Sequence, residues 1–332
     1  MRLSILVVSR TADLLSSMLG SLNGALHLPR REVEILCSWN GSPEEEARIE
    51  NGSGYEFSIA NRIPYHFSSN INELAQLANG EVLALVNDDV ILDMNSLDSG
   101  LSCLLDDIST LCVGSLLRFP DGRLQHGGMS FDHQHLPYHI AEGLINATNE
   151  ISELPPYEVP CVSAAVMLIR KSTFKEQPFD ESYLRCGEDV QLNLDLREKL
   201  KGRVMLCPGM SGVHLESATR AENNEAGNTP RDIEKMKRRR HLFLNQASQE
   251  QLRVELSMST RDHIFTKEVM EKERNYLHQQ QTKSKDMNYV KKLEHDLDHL
   301  KRDRDHWKDQ THSLQLARLK LEQKLKQTQL GA

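Results

Sequence analysis

Four short stretches carry residues whose types and spacing could do chemistry. In LALVNDDVIL (83–92) an apolar run ends in two adjacent carboxylates, Asp88 and Asp89, and apolar residues resume at once. Burying a carboxylate without a partner is costly. Hard divalent cations take oxygen ligands, so the pair could hold one; alternatively, Asp89 and Asp93 could cap the segment that follows. In QHGGMSF (125–131) paired glycines let backbone approach a ligand closely, and His126 could donate to a phosphate or hydroxyl. A tight turn with a structural histidine fits equally, and the preceding FPDGRL reads as a hairpin turn. In FDESYLRCGEDVQLNLDLREKL, Glu188 and Asp189 open a helical stretch carried by Leu192, Leu196 and Leu200. They are either first-turn acids that favour the macrodipole or a general base presented at a helix start. In CPGMSGVHLESATR a strand-like piece and a Pro-Gly turn lead to His214 and then Glu216; His214 is a metal ligand or a surface histidine.

The elements that must position these residues alternate in type. LSILVVS reads as a strand, ADLLSSMLGSL has helical spacing, EVEILCSW is a strand, INELAQLANG is a helix closed by Gly80 as its C-cap, and EVLALVND is the next strand. Strands that are apolar on nearly every residue predict a sheet covered on both faces. Strand–helix–strand alternation predicts an α/β fold with a mainly parallel central sheet and ligands beyond the carboxyl ends of the strands. Asp88 and Asp89 sit at such an end.

The bulk composition sets limits. The chain has 332 residues, 39% hydrophobic and 27% charged, enough for one large domain or two ordinary ones. A formal net charge of -8 argues against nucleic acid as a partner. Mean hydropathy is -0.51, and no apolar run approaches the roughly 20 residues of a membrane span. The opening MRLSILVVSR reads as a first buried strand rather than a signal peptide. None of the 6 cysteines forms a C-x-x-C pair, so reduced core cysteines and a cytosolic chain are expected, without a zinc site.

Near residue 220 the composition turns polar and charged. AENNEAGNTPRD reads as a linker, KMKRRRH is basic, and 233–285 reads as helical without a clean period. From Val290 a spacing of three and four runs through Leu293, Leu297, Leu300, Arg304, Trp307, Thr311, Leu314, Arg318, Leu321, Leu325 and Thr328. This predicts a coiled coil over 286–330, whose polar seam residues Arg304, Thr311 and Arg318 fix register or partner number; the alternative is one helix packed on the main domain.

Taken in order, these stretches resemble the family 2 glycosyltransferases with the nucleotide-sugar-binding GT-A fold, over roughly residues 3–220. SILVVSRTADLL is similar to the family's opening strand and first helix, and EILCSWNGSPEE to its second strand and D-N-G-S-type turn. FSSNINELAQLANGEVLALVNDDVIL is similar to the approach to the D-x-D motif, and FPDGRLQHGGMSF to a Q-H-x-G element of one branch. VPCVSAAVMLIRKSTF with PFDESYLRCGEDVQLNLDLREK resembles the acceptor-side segment and its E-D motif, and PGMSGVHLESATR the closing H-x-E-S-x-R element.

The resemblance implies a Rossmann-like GT-A domain over 1–222; the composition change sets off a linker and helical region over 223–285, and the period a coiled coil over 286–330 for oligomerisation or partner docking. It implies inverting transfer of a sugar from a nucleotide-diphosphate donor to a glycan or glycolipid acceptor, in making a surface polysaccharide or glycoconjugate. It makes Asp89 the direct ligand and His214 the later ligand of a Mn²⁺ or Mg²⁺ ion, with Asn87 standing where the first Asp of D-x-D is usual. Asp88 bonds ribose or sugar hydroxyls, and Asn72 joins the donor side. Asp189 is the general base, Glu188 positions the acceptor, and Gln125 and His126 line the donor-sugar or acceptor pocket. The backbone of Ser9 and Arg10 lies beneath the nucleotide. Asn40 stands where the family often places an Asp on uracil, and its amide can bond a pyrimidine edge; Trp39 stacks on the base or is core. Uridine donors are favoured, with thymidine and guanosine open. The coiled coil implies a homo-oligomer, and KMKRRRH either touches anionic lipid at the inner membrane face or is a solvated helix. Two other readings stand beside this one: a catalytically weak scaffold of the same fold, and a nucleotidyltransferase, for which the glycine-rich, lysine-bearing opening loop is missing.

Overall fold

The strands that read as apolar on every residue form the buried centre of a mixed sheet. In a computed structural model, which describes residues 2–147, 154–215, 229–281 and 287–329, β1 (Leu3–Ser9) and β4 (Val82–Val86) are buried throughout. Alternate residues serve opposite faces, as the pleat requires. Leu3, Ile5 and Val7 join one core with α1 (Ala12–Ala25) and α4 (Ser96–Asp106); Leu6 and Val8 join the other with α3 (Phe67–Leu77), α5 (Lys171–Glu176) and α6 (Glu188–Glu198). The short α2 (Pro43–Glu46), capped by Ser42, follows β2 (Val33–Trp39).

The mainly parallel character expected of the sheet holds for one half. β3 (Glu56–Asn61), β2, β1 and β4 run parallel in that order. Beyond β4 the sheet is mixed: β11 (Val166–Arg170) lies antiparallel between β4 and β6 (Thr110–Arg118), and β12 (Arg203–His214) runs parallel to β6. β5 (Val90–Leu92) and β10 (Tyr157–Glu158) pair antiparallel with β12, and β7 (Leu124–His126) with β6. A separate hairpin joins β8 (Met129–Phe131) to β9 (Pro137–His139). The expected FPDGRL turn links β6 to β7, with Gly122 at φ +85°.

Two local readings change. Gly80 is not a left-handed cap: its N–H donates to the Ser4 hydroxyl, and a Cβ there would lie 2.5 Å from the Ser4 nitrogen. The Pro-Gly pair of CPGMSG makes no turn but a bulge within β12, between Cys207 and Ser211, which lets Met210 reach Gly100 on α4.

From Pro230 onward the described residues form helices: α7 (Pro230–Gln246), α8 (Gln249–Gln281) and α9 (Met287–Gln329). Thr229 caps α7 by accepting from the Asp232 amide, with Pro230 in the first turn. α7 and α8 enter the core of the preceding domain. Met236 and Phe243 pack with Tyr183, Val190 and Leu194, and Met258 packs into the α3 side of the sheet. The basic run is largely engaged there: Lys235 pairs with Asp180, Arg239 with Asp195 and Glu198, and Arg240 with Glu255. α9 returns along α8 to Tyr138 of β9, with Trp307 at 5.9 Å between ring centroids. Glu216 to Asn228, and the side chains of Val290, Leu293, Leu321, Leu325 and Thr328, lie outside the described residues. Among the described residues no helix is long and apolar enough to cross a membrane.

Candidate active site

Three parallel strands end on one edge of the sheet, where such folds bind ligands. β1 delivers Ser9 and Arg10, β2 delivers Trp39 and Asn40, and β4 delivers the turn Asn87–Asp88–Asp89. β12 arrives from the other half and places His214 opposite Val90, with the Leu215 amide donating to the Asp89 carbonyl at 3.0 Å.

This pairing brings His214 Nε2 to 3.1 Å from Asp89 Oδ1. Its other nitrogen, Nδ1, lies 2.7 Å from Gln125 Oε1, an acceptor, and therefore carries the proton. Nε2 faces a carboxylate oxygen that is buried and accepts no hydrogen bond. Two acceptors so opposed are satisfied by a proton or by a cation. Ligands on adjacent positions of an octahedral cation, bonded at about 2.1 Å, stand about 3 Å apart. The pair therefore fits a divalent ion, with Gln125 fixing the imidazole from behind. Among the described residues no group of three or more His, Cys, Asp and Glu side chains gathers for a metal. The capping alternative is not what these acids do: Asp93 holds Arg118 and accepts from the Ser211 hydroxyl at 2.6 Å, and α4 has no side-chain cap.

Asp88 turns the other way. Its Oδ2 accepts from the Ser9 hydroxyl at 2.6 Å. Burial pushes its carboxyl up to about 6; the Ser9 bond pulls it back, and the charge of Asp89 adds to the rise. A basic side chain or ligand hydroxyl at this point would be strongly bonded.

Glu188 and Asp189 begin α6 as expected, after Gly187 at φ +104°. Asp189 Oδ1 accepts from the Val190 amide at 2.7 Å and Oδ2 from the Ala164 amide at 3.3 Å. The preceding amide, Ser163, donates to His126 Nε2 at 3.2 Å. Two consecutive amides thus hold the carboxylate and the imidazole side by side. Asn87 joins the same segment through its amide to the Ala165 carbonyl at 2.8 Å. His126 is 1% exposed, and its Nδ1 faces His139 Nδ1 at 2.6 Å. Burial holds its basicity well below the usual imidazole value, so it is a neutral wall residue. The glycines beside it are approached by protein: a Cβ on Gly128 would lie 2.5 Å from the Met258 methyl of α8.

At the β2 end, Asn40 Nδ2 donates to the Ile63 carbonyl, leaving Oδ1 buried and unmatched, as is the neighbouring Trp39 indole N–H. Gly41 lies so close to the Trp39 ring and the Arg10 carbonyl that a Cβ would be 2.4 Å from each. Asn72 is placed differently: its amide bonds both backbone groups of Phe179 and the Glu181 carboxylate, which anchors the loop before α6. The residues sequence reasoning missed are Gln125's orienting bond, His139, and the α7 contacts; Asp232, fully buried, accepts from the Leu184 and Arg185 amides, and only the T-P-x-D cap hinted at it.

No protein-family profile matches the chain. It is 29% identical over 215 residues to the O-antigen biosynthesis protein RfbC of Myxococcus xanthus, a match that covers 63% of this chain but 17% of that protein. The chain therefore spans less than a fifth of the length of this relative. Among solved structures it is similar to TarS of S. aureus in complex with UDP-GlcNAc, at TM-score 0.52 and 15% identity, over 75% of this chain and 68% of the other. It is also similar to the mannosyltransferase PcManGT of Pyrobaculum calidifontis in complex with GDP-Man and Mn²⁺, at TM-score 0.50 and 11% identity, over 79% of this chain and 75% of the other. At these identities the likeness establishes the fold: a mixed α/β domain of the glycosyltransferase GT-A type, followed by helices.

Proposed function

We propose that this chain is an inverting, divalent-cation-dependent glycosyltransferase that moves a sugar from a nucleotide-diphosphate sugar to a hydroxyl of a glycan or glycolipid acceptor. The observation that carries the reading is the Asp89–His214 pair, 3.1 Å apart with Asp89 Oδ1 unmatched, at the edge where three strands end. Asp89 and His214 would hold the cation; bound there, it would offset the charge that develops on the departing diphosphate. Asp88 and Ser9 bind hydroxyls of the ribose or sugar. Asn40 spends one amide N–H on the Ile63 carbonyl and keeps the unmatched acceptor Oδ1 together with its second N–H, the donor and acceptor a pyrimidine edge can meet. UDP-sugars remain favoured.

Asp189 takes the proton of the acceptor hydroxyl as its oxygen bonds to the anomeric carbon. The bond from that carbon to phosphate breaks on the opposite face, its electron pair leaving with the diphosphate, so the anomeric centre inverts. The two amides that bond Asp189 hold its carboxylate in a fixed orientation. Glu188 positions the acceptor. The likeness to RfbC supports a surface polysaccharide or glycoconjugate as the product. The sequence period of α9 supports a homo-oligomer, and Lys237 and Arg238 are the basic residues left for anionic lipid at the inner membrane face.

The test is release of nucleoside diphosphate from a panel of nucleotide sugars with Mn²⁺, with and without chelator. Slow hydrolysis that requires metal and disappears in Asp89→Ala is expected; absence of nucleotide binding by calorimetry would overturn the reading. Asp189→Asn should keep donor binding and lose transfer.

A further inference from the structure

The C-terminal helices reach the transfer site through hydrogen bonds that the proposed chemistry does not use. Asp262, in the middle of α8, is fully buried. Its Oδ1 accepts from the Ala141 amide at 3.1 Å and its Oδ2 from the Tyr138 hydroxyl at 2.9 Å. Among the described residues no cation pairs with it, and burial pushes its carboxyl up to about 6 against those two bonds. A carboxylate kept in such a place is costly. What it holds is β9, gripped within the strand at Tyr138 and just beyond it at Ala141, whose φ is +49°. α9 closes over the same tyrosine with Trp307 and Gln310.

The residue after Tyr138 is His139, on the opposite face of the strand. Its Nδ1 lies 2.6 Å from His126 Nδ1. His126 Nε2 accepts from the Ser163 amide, so a neutral His126 carries its proton on Nδ1 and donates it to His139. The next amide along, Ala164, is the one on Asp189. An unbroken path thus runs from α8 to the carboxylate: Asp262, β9, His139, His126, Ser163–Ala164, Asp189.

We propose that Asp262 is a positioning residue of the transfer site: by gripping β9 it holds His139 as the acceptor of the His126 Nδ1 proton, which together with the Ser163 amide on Nε2 fixes the His126 tautomer and the amides that orient Asp189. The C-terminal helices are then part of the active centre's support rather than an appendage to it. The link to Asp189 rests on the function proposed above; the tautomer does not.

The experiment uses the full chain with Asp262→Ala, Asp262→Asn and the milder Tyr138→Phe. A control, Val33→Ala on β2, loses core packing far from this path. Four quantities are read: the ring-nitrogen shifts of His126 in long-range ¹H–¹⁵N spectra, the kcat of transfer, its donor KM, and the thermal midpoint. The wild type should show a single Nδ1–H tautomer at His126. The Asp262 variants and Tyr138→Phe should mix the tautomers and lower kcat tenfold or more, with donor KM within about twofold, the range in which partners that orient an active group act. Val33→Ala should lower the midpoint and leave the other three unchanged. A His126 that keeps its tautomer in every Asp262 variant overturns the proposal, as does a fall in kcat no larger than the control's. If the wild type turns over no donor, the proposed function fails while the tautomer still decides whether Asp262 positions His126.

Discussion

Glu255 offers the sharpest test of whether helices α7 and α8 belong to the domain that carries the site. It stands between two guanidinium groups, Oε1 2.6 Å from Arg197 and Oε2 2.7 Å from Arg240. Arg197 is 1% exposed and Arg240 5%. Arg197 also donates to the Pro160 and Gln251 carbonyls and faces the Phe243 ring, and Arg240 lies 4.0 Å from the Phe131 ring centre. Even so, Nε of both arginines and Nη1 of Arg240 have no acceptor. Glu255→Gln would leave two enclosed cations facing a neutral amide. Removing one partner of a buried pair costs about 3–5 kcal/mol, which for a domain of this size lowers the thermal midpoint by about 10 °C. Burial pushes the Glu255 carboxyl up, but the Arg240 and Arg197 charges outweigh it and hold it below the usual carboxylate value. Its contribution is therefore present above the unfolded value, near 4.5, and is lost as pH falls through the lower folded value. Urea unfolding followed by circular dichroism should show the full loss at pH 7 and a narrowing gap between wild type and variant in acid. A loss below about 1 kcal/mol at pH 7, or a separate transition for the helices, would refute the view that α7 and α8 share one cooperative unit with the sheet.

Two further outcomes are expected. Gly187→Ala should cost about 1–3 kcal/mol, because φ is +104° and a Cβ would meet Met236 at 2.7 Å; it should also slow transfer by shifting Glu188 and Asp189, as urea titration and rate measurements on one sample would show. Asp262, with a carboxyl raised to about 6, should favour the folded state fully below its unfolded value of 3.8 and lose that advantage as pH rises through 6. The difference is about 3 kcal/mol by pH 7, and Asp262→Asn should flatten that limb of the stability curve.

What was legible in the sequence is what local spacing encodes. β1, β2 and β4 are apolar on almost every residue because both faces are covered, and that is visible without a structure. A strand so marked, followed by Asn87–Asp88–Asp89, announces a site at its end. His214 and Asp189 could be placed by chain order. What each of them touches could not. Nothing in the sequence says that β11 runs antiparallel beside β4, yet that register brings Ser163–Ala165 under both His126 and the NDD turn. QHGG looked like a ligand cradle because glycines permit close approach; the group that approaches Gly128 is Met258, more than a hundred residues away.

The C-terminal helices show the same limit more sharply. α8 lacked a visible period, although its less exposed residues recur at Glu255, Met258, Asp262, Phe265 and Thr266, and Val269. Several of these are polar, and an apolar pattern cannot reveal a face whose buried members are carboxylates held by arginine and tyrosine. In α9 the period was visible, and the residues that are not exposed recur at Leu300, Asp303, Trp307, Gln310 and Leu314. A heptad stripe identifies a helix that needs a partner, not which partner it takes. The middle of this stripe lies on the chain's own Tyr138. A second copy could pair there only by displacing Trp307 and Gln310, which would uncover Tyr138 beside the buried Asp262. An assembly built on α9 would then draw on the same contacts that support β9 and His126, whereas one built on its far end would leave them in place.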